Sequence, residues 1–413
     1  MHYMIGYLFV RLVLRNSSKF KFVLYDIFFF VYGSLCLYTQ IELIHNPLND
    51  FYIHNDAAWS FYSKMVDNVP NSWDELWPFI AIRLDSDTPF AAALFSFIAE
   101  IGKQTDIIDL RLFTRMHVFM LTAIIPAIMA AILELHGVDK KQIFKGVLIF
   151  GLCTYLFVGS CVFTRDLHVC FVYTLFAYYM LLPKCRGRLF VFILLAIMAT
   201  GFRLENGEVS IVFIMAYYMS RKKNQRFYRF FAVVLFVVAI SYFLSSPYLD
   251  EAVRVKIGYE GLALENTGGI FEKLYTLPFP INLIIMVVYI IIMPMPITKN
   301  LIGDGNTFLT LPFVISPYII TLMFYCVSWY LITRWKQNIV MSYYLFSFSI
   351  IFVLIIYGSP DLRRAFACVP AIYIGYMLIK NNVPITVSKR CKQYVWPIVL
   401  LSGILLTVYA LMN

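Results

Sequence analysis

Charge is what this sequence has least of. Only 14% of its 413 residues are Asp, Glu, Lys or Arg, while 61% are hydrophobic and the mean hydropathy is +0.75. Soluble domains carry roughly 25% charged residues, so a soluble globular protein is excluded. No stretch of contrasting composition interrupts the chain, and no separate soluble domain is expected. Cysteine patterning is also missing. None of the eight cysteines stands in a Cys-x-x-Cys pair or at a Cys/His zinc spacing. Cys36, Cys153, Cys161, Cys170, Cys326 and Cys368 lie in or beside apolar runs, and Cys185 and Cys391 in basic loops. This reads as helix packing rather than a disulfide framework or a metal site. A cleavable signal peptide is not evident, because the first apolar run lacks a small-residue cleavage site and Arg11 interrupts it. Internal repeats are lacking, which counts against a transporter built from two pseudo-repeated halves.

What the chain does contain is a series of apolar runs. Runs of about 17–25 residues cross roughly 30 Å of hydrocarbon at 1.5 Å per residue. The expected fold is therefore all-α, a polytopic integral membrane protein forming a single transmembrane domain over residues 1–413. The net charge of +10 reads as topology and not as a nucleic-acid footprint. Basic clusters at Arg11–Lys21, Lys140–Lys145, Lys184–Arg188, Arg221–Arg229, Arg334–Lys336 and Lys380–Lys392 hold 21 of the 34 lysines and arginines, against one acid, Asp139. Such loops face the cytoplasm, which leaves the mixed-charge loops outside and the N-terminus inside.

In chain order, a basic, partly amphipathic lead over 1–21 precedes a helix at 22–43. A polar, aromatic external segment, 44–88, follows, and 89–102 reads as a re-entrant or partial helix. Spans are predicted near 112–135, 146–164, 168–183, 189–202, 208–220 and 228–246. A second external loop, 247–278, leads into a proline-broken region, 279–316, and the last spans fall near 317–333, 339–357, 364–380 and 394–412. This amounts to about eleven transmembrane helices.

Chemistry collects on the predicted outer face. Thr164-Arg165-Asp166-Leu167-His168 stands between two apolar runs, and related clusters recur at Arg203-Leu204-Glu205 and Asp361-Leu362-Arg363-Arg364. Ionisable residues at the mouths of membrane helices are costly and mark substrate paths. Arginine holds phosphate through planar, bidentate contacts, and a carboxylate can take the proton of an attacking sugar hydroxyl. These are the parts needed for glycosyl transfer from a lipid phosphate. Each residue also has a structural reading. Asp56 can cap a helix over Ala57–Met65, and Asp85 and Asp87 can turn the chain before Pro89. Asp166, Glu205 and Asp361 can serve as internal partners of the arginines, and His168 can be a packed, hydrogen-bonded histidine.

His54-Asn55-Asp56 after the first helix, and Asp85-Ser86-Asp87-Thr88-Pro89 running into an apolar segment, resemble the GT-C class of membrane glycosyltransferases. Thr164-Arg165-Asp166 ahead of an aromatic helix, Gly201-Phe202-Arg203, and the long external loop with Arg254 and Lys256 are similar to surface-polysaccharide repeat-unit polymerases of the Wzy type. The resemblance implies an enzyme of a bacterial inner membrane that joins glycans carried on undecaprenyl pyrophosphate at the outer leaflet. The alternatives are a GT-C single-sugar transferase, which leaves room for a divalent metal, and a flippase of lipid-linked glycans. No cofactor is otherwise implied. The partners implied are the bilayer, the polyprenyl-linked oligosaccharide and other polysaccharide-assembly proteins. Asp56, Asp87, Asp166 and His168 are then the catalytic candidates. Arg165, Arg203, Glu205, Arg254, Lys256, Arg363, Arg364 and Trp59 are the candidates for binding pyrophosphate and glycan.

Overall fold

The computed structural model describes residues 1–14, 18–45, 89–105, 110–161, 165–183, 185–203, 205–221, 307–358 and 362–397, with isolated positions at 281, 400, 401, 404 and 408. Among the described residues every regular element is helical, as the apolar runs predict. The elements are α1 (His2–Val13), α2 (Phe20–His45), α3 (Pro89–Thr105), α4 (Leu110–Leu135), α5 (Lys140–Leu152), α6 (Tyr155–Gly159), α7 (Asp166–Leu181), α8 (Arg188–Phe202) and α9 (Glu205–Arg221). They continue with α10 (Thr307–Thr333), α11 (Ile339–Gly358), α12 (Leu362–Ala365), α13 (Val369–Ile379) and α14 (Ile385–Arg390).

Two helices occupy the middle. Apolar on nearly every side, α4 packs against α1, α2, α3, α5, α7 and α13. In α7 all but one residue is buried. Helices apolar all round must be covered all round, and these two are.

Their neighbours fix the directions. Arg115 of α4 meets Gln40 near the end of α2, while Glu134 of α4 accepts from the Ser18 amide just before α2, so these two helices run antiparallel. His117 stacks on His168 at one end, and His136 reaches the Leu181 carbonyl at the other, so α4 and α7 run parallel. Phe202 meets His168 and Phe192 stacks on Phe176, which sets α8 antiparallel to α7.

The bundle therefore has two chemically distinct ends. One gathers Arg115, His117, Asp166, His168 and Arg203, and is called the histidine end. The other gathers Lys21, Lys140, Arg188 and Arg221, and is called the basic end. There Lys140 approaches Glu134 at 3.9 Å, and Arg188 and Arg221 donate to the closing carbonyls of α7.

Several predicted boundaries change. The lead over 1–21 includes a packed helix, α1, which runs from His2 beside Phe113 and His117 to Val13 beside Tyr178 and Leu14 beside Lys21. The segment 89–102 lies within a continuous helix of 17 residues, Pro89–Thr105, laid against α4 and α8. The span expected at 146–164 is interrupted. Thr154 is extended (φ −129°, ψ 180°), and its hydroxyl both donates to the Phe150 carbonyl and accepts from the Leu156 amide, capping a new short helix. A threonine hydroxyl that competes for backbone groups in this way bends or ends helices, and Tyr32 captures the Gly151 carbonyl at 3.0 Å beside it. The span at 364–380 begins with a short helix and a tight turn, Phe366–Cys368. The span at 228–246 and both external loops, apart from the two residues at 44–45, lie outside the described residues.

By length and composition, two of the described helices could cross a membrane, over Phe20–Ile41 and Leu112–Leu135. Shorter apolar segments are His2–Val13, Asp166–Leu181, Arg188–Phe202, Tyr318–Thr333 and Ile339–Ile355.

Candidate functional site at the histidine end

The first turn of α7 carries the residues on which the sequence concentrates its charge. Asp166 opens the helix and is 8% exposed, at the position where a carboxylate meets the positive end of the helix dipole. Arg165 precedes it and stays partly exposed. Two residues on, His168 is buried within a box of rings. His117 stacks on it at 5.4 Å, Phe95 meets it edge-on at 5.4 Å, and Phe202 lies against it at 4.9 Å. That box follows from α3, α4 and α8 converging on the start of α7. It gives His168 the packed position that was one of its two sequence readings.

Arg203 follows Phe202 and is the extended residue that closes α8, partly exposed beside the same box. Gly201 lets α3 approach here, since a Cβ on it would overlap the Phe90 ring. Asn206, in the first turn of α9, accepts a hydrogen bond from the Tyr173 hydroxyl at 2.9 Å, which ties α9 to α7. Arg364 is partly exposed in α12, two residues before Phe366, whose carbonyl faces Cys170 one turn along α7 from Asp166. Arg165, Asp166, His168, Arg203 and Arg364 thus share one end of the bundle. For Glu205 and Arg363 only the backbone is described, at the start of α9 and within α12. Asp56, Trp59, Asp85, Asp87, Arg254, Lys256 and Asp361 lie outside the described residues.

The structure adds residues that the motif reading passed over. Arg115, in the first two turns of α4, is 0% exposed, and its guanidinium donates to Gln40 Oε1 at 2.8 Å. It also lies within reach of the Cys36 thiol. His117 stands two residues on, with a buried Nε2 that meets no hydrogen-bond partner among the described residues. On α3, Ser96 and Glu100 sit one turn apart, both fully buried. Gln104 donates to Glu100 Oε1 at 2.8 Å, while Glu100 Oε2 and Ser96 Oγ make no hydrogen bond among the described residues. Buried polar atoms are nearly always paired, so a carboxylate oxygen left open one turn from an open hydroxyl is suited to receive a donor from a ligand. A signal for these residues was present. Arg115 and His117 are ionisable groups inside a predicted span, which is by itself a functional pointer.

Among the described residues, no group of three or more His, Cys, Asp or Glu could hold a metal ion. Chemically, this end offers guanidinium groups for an anion and open oxygens for a hydroxyl, set against a wall of aromatic rings. Comparison with protein-family models, with curated proteins and with solved structures finds no match.

Proposed function

We propose that this protein is a polytopic membrane glycosyltransferase acting on polyprenyl-(pyro)phosphate-linked glycans, and that it polymerises repeat units of a surface polysaccharide at the outer leaflet of a bacterial inner membrane. The observation that carries this reading is the collection of Arg115, Glu100, Asp166, His117 and His168, all in helices, at the end of the bundle opposite its basic residues. Ionisable groups at membrane depth are expensive and are retained for function.

Two further features support the membrane setting. Apolar side chains face outward in helical stripes, as Met4, Ile5, Leu8 and Leu12 do on α1 and Leu189, Phe190, Ile193, Leu194 and Ile197 on α8. Apolar surface on this scale is rare in soluble monomers. The basic residues Lys21, Lys140, Arg188 and Arg221 lie at the end opposite the histidines, so the positive-inside rule turns the histidine end outward.

In the mechanism, the polyprenyl tail lies along the apolar stripes and its pyrophosphate meets Arg165, Arg203 and Arg364. The acceptor hydroxyl loses its proton to a carboxylate as its oxygen attacks the anomeric carbon. The bond from that carbon to the pyrophosphate oxygen breaks, and the arginines stabilise the charge that develops on the leaving group. The sequence favours Asp56 as the base. Within the described residues, Glu100 is the carboxylate with an open, buried oxygen.

The test is an assay of purified protein with a polyprenyl-pyrophosphate oligosaccharide, read as a ladder on a gel, with and without a chelator. A chelator-insensitive ladder lost in Arg165→Ala supports the polymerase. Addition of one sugar from a monophosphate donor, lost in Asp56→Ala, replaces it with the single-sugar transferase. Absence of product together with movement of labelled lipid across vesicles makes the protein a flippase. Within the enzyme reading, Glu100→Gln lowers kcat by about 10²–10⁴ if Glu100 is the base, and leaves it unchanged if Asp56 is.

A further inference from the structure

At the basic end, two arginines lie over one aromatic ring. The guanidinium of Arg188, at the start of α8, lies 4.7 Å from the centre of the Tyr217 ring, and that of Arg221, at the end of α9, lies 5.5 Å from it. Arg188 is 9% exposed and donates to the Leu182 carbonyl at 2.6 Å. Arg221 donates to the Met180 carbonyl at 3.4 Å. Together with His136 on the Leu181 carbonyl, they satisfy the last turn of α7, and that accounts for part of their placement.

It does not account for their charge. A helix C-terminus supplies about half a negative charge, against two full positive charges that repel each other here. Among the described residues no carboxylate pairs with either arginine, and the buried Arg188 Nε makes no hydrogen bond. Each guanidinium carries five donors in a fork matched to phosphate; Arg188 also bonds the Cys185 thiol, which leaves donors on both arginines for an anion. The side chains that begin α8 beyond Arg188 are apolar and face outward: Leu189, Phe190 at 72% exposure, and Ile193.

We propose that Arg188 and Arg221 bind the phosphate of an anionic phospholipid, whose acyl chain runs along the outward stripe of α8. Basic pockets between membrane helices on the cytoplasmic side hold such headgroups. This site rests on the membrane reading but not on the chemistry at the histidine end, so it stands or falls separately from the glycosyltransferase.

The test uses the full chain in neutral detergent, titrated with dioleoyl phosphatidylglycerol, dioleoyl phosphatidylcholine and inorganic phosphate. The readouts are lipid retained by mass spectrometry and the midpoint of thermal unfolding. Phosphatidylglycerol is expected to be retained and to raise the midpoint, with phosphatidylcholine and phosphate ineffective. Arg221→Gln, which leaves the buried Arg188 contact in place, is expected to weaken retention about fivefold. Arg188→Lys keeps a charge but loses the fork, and weakens it as well. Equal retention of the two lipids, or unchanged retention in Arg221→Gln, overturns the site. Stabilisation by phosphate alone to the same extent overturns its assignment to lipid.

Discussion

Arg115 is a group whose structural and functional roles one pair of substitutions can separate. Its guanidinium is fully buried and donates to Gln40 Oε1 at 2.8 Å. A hydrogen bond to a charged group contributes about 1.5–3 kcal/mol, and truncating one partner leaves the other unmet at a cost of about 1–3 kcal/mol. Arg115→Met is therefore expected to destabilise the protein by roughly 2–4 kcal/mol, and Gln40→Met by a similar amount because it removes the Oε1 acceptor of a buried guanidinium. When both partners are replaced by apolar groups of similar shape, the loss largely disappears, so the double variant should recover most of the stability. Unfolding in mixed micelles, measured for all four proteins of the cycle, should give a coupling energy of about 3 kcal/mol or more, because the two single losses largely cancel in the double variant. Activity should behave differently. If the Arg115 charge helps to hold the substrate anion, the refolded double variant stays depressed by about 10²-fold or more in kcat. A coupling energy below about 0.5 kcal/mol would refute the energetic reasoning. Recovery of stability and activity together would refute the functional role of Arg115.

Other expectations follow from packing and caps. Gly201→Leu should separate α3 from α8 by driving against the Phe90 ring, destabilising by about 1–3 kcal/mol; a melting curve unchanged from the parent would contradict this. Tyr173→Phe removes the hydrogen bond to Asn206 Oδ1 and should cost about 1–3 kcal/mol because a buried acceptor is left unmet, with hydrogen exchange at the start of α9 as the check. Asp139 accepts from the Lys141 and Gln142 amides as the cap of α5, and Asp139→Ala should lower stability by about 1 kcal/mol, seen as an earlier midpoint in denaturant. His168→Phe, inside its box of rings, should fold with a loss below about 1.5 kcal/mol. If kcat then falls while the fold holds, the imidazole acts in the chemistry; an unchanged rate makes it a packing residue.

The helices were legible where hydrophobicity alone decides them. Runs such as 112–135 and 168–183 have one physical solution and returned as α4 and α7 within two residues at each end. The misses occur where a single polar atom outweighs the run. The Thr154 hydroxyl cuts 146–164 in two. In the lead over 1–21, the apolar residues Val10 and Leu14 are buried, while Met4, Ile5, Leu8 and Leu12 face outward. That helix therefore packs one apolar face on the bundle core and turns another outward, an arrangement that a reading weighted by Arg11 and Arg15 does not suggest.

The same logic explains which site residues the sequence offered and which it concealed. Charge at the edges of apolar runs is conspicuous, so Arg165, Asp166 and Arg203 stood out, and they share one end of the bundle. Charge within a run is diluted by its neighbours. Arg115 sits among leucines and phenylalanines and Glu100 among alanines and isoleucines, yet these two are fully buried while Arg165 and Arg203 stay partly exposed. Removing an ion from water costs several kcal/mol even after the protein relaxes around it, so the concealed residues carry the larger penalty for their positions. Arg188 makes the same argument at the other end. It was counted in a basic cluster and read as topology, but a residue needed only to mark the cytoplasmic side would stay in water. A guanidinium buried over Tyr217, with a second one over the same ring, bears a cost that positive-inside sorting does not require, and an anion held by both would offset it.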